Sequence, residues 1–450
     1  MKKYLFLVIS IILCSCNKDQ DDFLSDFKGQ LAWTKTFGGS LEDKATSVVA
    51  TPDGGVLVVG YTKSNNGDVI KTHAGADVLI TKIDASGNTV YSKTIGGSLD
   101  DFGYSIIRTS DNNYVISGYS GSADFDVPSN QGFHDFYIVK INENADIIWS
   151  KSYGFSSHDH AHKIIQTQDG GFFVAGFSDY SGIIGAPDNG EGHTIGHKTT
   201  NSNSVQHGVG EFMGIKLDAQ GEFLWYRYYG GTQNDRVNDI VETNDGGIIM
   251  VGYSESQDFD VENPKGSYDY WVINLDKDGH LHWKKSFGGS DIDQAYGIAK
   301  TDFNSYLIVG QSNSVDGDIS SHIGNSDIWV IHINHHGDLL WEKSFGGVQF
   351  ETAYSIKKNK NGRFYIAGNS RSNDVFTNKG QNDALLIEID AHPNTGIYWS
   401  KTFGGSSFDI AYDFTQTTDG SIILVGDTES NDNDFTLNKG SLDQFVIKVE

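Results

Sequence analysis

Cysteine is almost missing from this chain. Cys14 and Cys16 are the only two among 450 residues, and both lie near the N-terminus. That argues against a disulfide framework in the body of the chain and against a cysteine-rich zinc site. Proline is scarce at 5 while glycine is abundant at 53, so the many tight turns fall to glycine. Basic residues are outnumbered 33 to 59, which leaves a formal charge of -26. No nucleic acid partner is expected, because a polyanion requires a basic footprint. The acidity favours solubility and attracts cations. Long apolar runs are lacking too: the one from Tyr4 to Leu13 is too short to span a bilayer comfortably. No Ser-His-Asp order, nucleophile elbow or phosphate-cradling glycine loop stands in a convincing context.

What is present is a period. The stretch Trp-x-Lys-x-Phe-Gly-Gly-x-x-x-Asp opens at Trp33 and returns at Tyr91, Trp149, Trp225, Trp283, Trp341 and Trp399, every 58 residues with one step of 76. Such a period outranks the three ordinary domains that length alone would suggest. In the first unit, short apolar clusters begin at Ala45, Val56, Asp77 and Thr89, separated by Pro52–Asp53–Gly54–Gly55, a polar loop and Asp84–Ala85–Ser86–Gly87. Four antiparallel strands per unit, repeated seven times, predict an all-β, seven-bladed β-propeller over residues 29–450. All eight tryptophans hold recurrent positions, with Trp271 and Trp329 in third strands, so none is left as a free stacking platform. The 18 extra residues of the third unit fall at about 178–210. The chain enters on a lone fourth strand, Gly29 to Phe37, and leaves on a third strand, Asp443 to Val449. Antiparallel pairing of residues 30–37 with 443–449 is expected to close the ring and remove its open edges.

Residues 1–15 have the make-up of an export signal, with Lys2 and Lys3 ahead of the apolar run. The segment Leu13–Cys14–Ser15–Cys16 resembles the lipobox of bacterial lipoproteins. That resemblance implies acylation of Cys16 and a membrane partner reached through its lipid. Residues 16–28 then form the lipidated cysteine and an acidic tether containing Asp19, Asp21 and Asp22. Asn17 resembles the residue that follows the cysteine in lipoproteins sorted to the outer membrane, and acids just behind it resemble those of surface-displayed ones. The consensus Gly-Gly-Ser-x-x-Asp-x-Ala-x-Ser-Ile-x-x-Thr-x-Asp-Gly-Gly, nearly whole from Gly404 to Ser421, resembles that of secreted or lipid-anchored bacterial and archaeal tandem-repeat β-propeller proteins. The family implies the fold and surface or adhesion-like modules, some loosely grouped with glycan-active proteins.

Three constellations could carry chemistry. The first is the acid after each Gly-Gly: Asp43, Asp101, Asp159, Asp235, Asp293, Glu351 and Asp409. A ring of carboxylates could hold a cation. A cation eight residues before each, from Lys35 to Lys401, suggests instead a structural ion pair or turn cap. The second is an acid pair nine residues apart, as in Asp68/Asp77 and Asp434/Asp443. Calcium takes clustered oxygens, although Asp also suits loop ends. The third breaks the repeat: His158, His160 and His162, with His193, His197 and His207 in the insertion. If residues 158–162 are extended, alternation points the first three to one side, and neutral imidazoles so placed suit Zn, Cu or Ni. The bland reading is a polar surface loop whose histidines never converge. No cofactor is demanded; calcium or a transition metal are the candidates.

The expected function is that of a lipid-anchored cell-surface propeller serving as a binding, adhesion or scaffold module for a protein or glycan partner. The alternative is a polysaccharide-active enzyme or a glycan-binding component of a carbohydrate-utilisation system. No carboxylate stands apart from its repeat sisters, so no catalytic pair is distinguishable.

Overall fold

The computed structural model describes residues 27–70, 73–179 and 210–450. Among the described residues, 28 strands, numbered β1 to β28 in chain order, form seven four-stranded antiparallel sheets. The first complete blade is β2 (Asp43–Ala50), β3 (Val56–Thr62), β4 (Asp77–Ile83) and β5 (Thr89–Ile95), paired in that order. The first strands of successive blades touch around a full circle, including the return from β26 (Asp409–Gln416) to β2, so they line the axis. Third strands such as β4 are buried along their whole length, as their near-continuous apolar sequence requires.

The seventh blade is built from both ends of the chain. β1 (Leu31–Phe37) pairs antiparallel with β28 (Asp443–Val449), Trp33 opposite Lys448 and Phe37 opposite Gln444. Beyond β28 lie β27 (Ile422–Thr428) and β26. The expected ring closure is therefore realised.

Neighbouring blades share one core. Leu57, Val59, Val78 and Ile80 of the first pack with Ile106, Tyr114, Ile116 and Tyr137 of the second. Each such aliphatic side chain contributes roughly 1.5–3 kcal/mol on burial. The recurrent tryptophan seals the rim. Trp33 lies over Gly87 in the turn of the next blade, where φ is +85° and a Cβ would sit 2.9 Å from the indole, so only glycine fits.

A bulge recurs between the first two strands of every blade. In β2 the pairing steps from Ala45–Gly60 to Ser47–Val59, leaving Thr46 without an opposite number. The skipped residues in the other blades are Tyr104, His162, Asn238, Tyr296, Tyr354 and Tyr412. A bulge re-aims the extra side chain, and here it turns one residue per blade to the axis. The residue opposite must be glycine: at Gly176 a Cβ would collide with the carbonyl oxygen of His160.

In an antiparallel blade, alternate connections lie at opposite ends. The links into first strands and between second and third strands share the upper face; the turns between third and fourth strands share the lower. The end of β11 (Phe172–Ser178) and the start of β12 (Glu211–Leu217) lie at the upper face. β1, a fourth strand, starts at the lower face, where Phe27 packs on Trp399 and Tyr365.

Candidate functional site at the mouth of the axial channel

The seven bulge residues meet at the axis. Thr46, Tyr104, His162, Asn238, Tyr296, Tyr354 and Tyr412, with Lys44 and Tyr61, line a cavity of about 320 Å³. Tyr354 lies 5.2 Å from both Tyr296 and Tyr412 between ring centroids, so three blades form one aromatic arc. Polar ends are tied down: Tyr296 Oη donates to Gln294 Oε1 at 2.9 Å, and Asn238 Nδ2 donates to the Ala295 carbonyl at 2.7 Å. Lys44 pairs with the buried Asp427 at 3.1 Å, which leaves its charge at the wall of the cavity.

Beside this mouth, three imidazoles converge between the second and third blades. His134 precedes β8 (Asp135–Ile141); His158 precedes and His160 lies within β10 (Asp159–Gln166). A parallel bridge joins His134 to His158, and Asp159 N donates to the His134 carbonyl at 2.8 Å. His134 Nδ1 stands 2.9 Å from His160 Nε2 and 3.1 Å from His158 Nδ1. Tyr119 stacks on His160 with centroids 3.8 Å apart, and Phe133 stacks on His158. Burial, reinforced by neighbouring histidines and Arg236, pushes His160 down to about 2; burial and His158 also lower His134. A neutral imidazole keeps one ring-nitrogen lone pair.

Of the three described histidines singled out by sequence, His158 and His160 join this cluster. His162 does not, because the bulge between Ala161 and Lys163 breaks the alternation that would have aligned it. Its Nδ1 donates instead to the Val237 carbonyl at 2.8 Å. His193, His197 and His207 lie outside the described residues, as does Cys16. His134 was not singled out, since nothing local marks it; only contact between blades brings it in. The tyrosine arc did leave a signal, an aromatic residue recurring just after the alanine of the motif.

The repeated acids have a structural role. Each is fully buried and ties the turn before it, Gly-Gly in six blades and Gly154–Phe155 in the third, to the second strand. Asp43 accepts from Gly39 N at 2.7 Å, from Ser64 Oγ at 2.7 Å and from Thr62 Oγ1. Glu351 repeats this with Gly347 N at 2.8 Å and Ser370 Oγ at 2.7 Å. Turn capping thus holds, but the ion pair eight residues apart does not form. Those lysines reach the next blade: Lys93 to Asp146 at 3.1 Å and Lys151 to Glu222 at 2.6 Å. The nine-residue acid pairs are likewise split between different blade junctions. Asp68 accepts from Gly38 N at 3.3 Å, whereas Asp77 stands with Asp101 around Gly96. Each junction therefore crowds two carboxylates from adjacent blades onto the first glycine of the motif. At Gly38 a Cβ would collide with Asp443 Oδ1 and lie 2.7 Å from Asp43 Oδ2. Burial raises several of these acids, Asp135, Asp235, Asp269 and Asp443 to about 6 and Asp159 and Asp383 to about 7.

No family model matches the chain. A curated relative, the Regulatory protein FlaEY of Caulobacter vibrioides, is 27% identical over 215 residues, covering 43% of this chain and 22% of that protein. The chain thus spans about a fifth of the length of the curated relative it matches. Among solved structures, the Pan2 WD40 domain of Neurospora crassa superposes with a TM-score of 0.49 at 9% identity, covering 93% of this chain and 95% of that one. The β-propeller domain of the Trilobed protease from Pyrococcus furiosus gives 0.41 at 9% identity, covering 88% and 90%. The chain is a seven-bladed β-propeller.

Proposed function

We propose that this propeller is an exported lipoprotein, acylated at Cys16 and held at the outer membrane with its disc outside the cell, where the upper mouth of the axial channel binds a protein or glycan partner. The observation that carries the reading is the mouth itself, a cavity of about 320 Å³ walled by Tyr61, Tyr104, Tyr296, Tyr354 and Tyr412. Tyrosine presents a flat apolar face with a polar rim, which suits both sugar rings and protein side chains. The tether supports the orientation. β1 begins at the lower face, and a lipid attached ahead of it would suit a mouth that points outward. The repeat also varies here, with Thr46, His162 and Asn238 in place of tyrosine. A polysaccharide-active enzyme would require two accessible carboxylates across a cleft. The paired carboxylates are buried at one junction after another, which favours binding over hydrolysis.

Two experiments test this reading. Wild-type protein is expected in the membrane fraction with incorporated fatty acid, and Cys16→Ser protein in the soluble fraction without it; label entering the Cys16→Ser chain would refute the anchor. Against an array of cell-surface glycans and adhesion proteins, the Tyr354→Ala/Tyr412→Ala double variant is expected to bind at least ~10-fold more weakly, the loss of about 1.4 kcal/mol that a modest aromatic anchor supplies. Equal binding by both proteins would remove the mouth as the site.

A further inference from the structure

The three converging imidazoles point to an assignment independent of the partner. We infer that His134, His158 and His160 form a three-histidine site for a divalent transition metal of the zinc class, with a fourth position open to the upper face. Donors bound about 2 Å from one zinc lie roughly 3–4 Å from each other. The separations in the structure, 2.9 Å and 3.1 Å from His134 Nδ1, approach that spacing, and a donor atom of each ring lies within 4.8 Å of the others. A ring nitrogen carries one proton or one lone pair, in one direction. A straight hydrogen bond joins His134 Nδ1 to one of the two nitrogens it faces and leaves the other without one. A cation at the centre accepts all three lone pairs at once.

The surroundings fix the rings in place. His134 and His158 are held side by side by their backbone bridge, and Tyr119 and Phe133 pack flat against His160 and His158. All three histidines are half-buried, which admits an ion and leaves room for water or a partner's donor as fourth ligand. Imidazole donors without thiolate select zinc, copper or nickel over calcium and magnesium. Because His134 belongs to the second blade and the other two ligands to the third, the ion would also clamp one blade junction.

The test uses the detergent-solubilised full chain, stripped with a chelator and titrated at neutral pH with Co(II) and then Zn(II). One Co(II) per chain should appear with the ligand-field absorption of a tetrahedral site and be displaced by Zn(II), and Zn(II) should raise the thermal midpoint. His134→Gln, His158→Ala and His160→Ala should each weaken uptake by at least the roughly 10- to 100-fold that loss of an outer-shell partner alone causes. His162→Ala should leave it unchanged. Circular dichroism identifies any variant that fails to fold, and the remaining two then decide. Uptake that is undiminished in His134→Gln, that is lost with His162→Ala, or that is absent from the wild-type chain overturns the assignment.

Discussion

Removal of residues 29–39 is expected to open the ring and cost the propeller most of its stability. These residues supply β1, the outer strand of the seventh blade. Without it, β28 presents a full edge of unpaired backbone, and Phe445, Ile447 and Val449, each 0% exposed, lose part of their cover. Trp33, Leu31 and Phe37 are withdrawn from the cores shared with neighbouring blades. Losing one large aromatic from a core costs about 3–5 kcal/mol, and a domain holds only about 5–15 kcal/mol in total. The truncated chain should therefore melt far below the full chain or not fold cooperatively, and it should self-associate through the bare edge. Thermal melting followed by circular dichroism, with size-exclusion chromatography, reads both effects. A synthetic peptide of residues 29–39 added in trans should restore part of the lost midpoint. An unchanged melting temperature in the truncated protein would show that closure contributes little.

Acidification from pH 8 to pH 5 is expected to stabilise the fold by several degrees. The cause lies at the blade junctions, where two buried carboxylates from adjacent blades face one glycine. Buried oxygens Asp135 Oδ1, Asp269 Oδ1, Asp383 Oδ1 and Asp443 Oδ1 accept no hydrogen bond. Burial raises Asp135, Asp235, Asp269 and Asp443 to about 6 and Asp159 and Asp383 to about 7, with the opposing carboxylate adding to the rise at Asp159, Asp269, Asp383 and Asp443. The folded ring thus binds protons more tightly than the unfolded chain does. Stability from these groups is complete below the ordinary carboxylate value of about 4 and is lost as pH rises through 6 to 7. An opposing set sits at the lower turns. Burial alone would raise Asp53, but bonds from Thr51 and Lys82 outweigh it and hold Asp53 down to about 2. Asp111 and Asp419 are lowered in the same way. Their contribution is lost only as pH falls below about 4, so the optimum lies where both contributions are complete, at about pH 4. A tenfold difference in proton affinity is about 1.4 kcal/mol, and the junction recurs around the ring, so small local terms accumulate. Calorimetry from pH 4.5 to pH 8 should show the midpoint falling from the acid end up to about pH 7 and levelling above it. Asp443→Asn should raise the midpoint at pH 8 and reduce the slope. A midpoint that is level or rising between pH 5 and pH 8 would mean that the paired carboxylates remain charged in the fold.

Much of this architecture follows from the sequence by itself. The 58-residue period, the apolar runs and the Gly-containing turns determine seven blades of four strands, because strand length, alternation and turn chemistry are local properties. Even the closure of β1 on β28 follows, since a lone fourth strand at one end and a blade lacking one at the other leave a single pairing that abolishes both edges. The repeated acids were legible as turn caps for the same reason: Asp43 and its turn glycines are near in the chain.

The site was decided by tertiary structure. Alternation along residues 158–162 aligns three histidines on paper, but the carbonyl of His160 presses against Gly176 on the paired strand, and the resulting bulge turns His162 to the axis. His134 takes its place because a bridge between blades sets it beside His158, a contact that no spacing within one repeat encodes. The carboxylates pair across junctions, Asp443 with Asp43 and Asp77 with Asp101, rather than along the chain for the same physical reason. A side chain's direction and its partners from the next blade are fixed by how strands press on one another, and that is settled only when the blades pack.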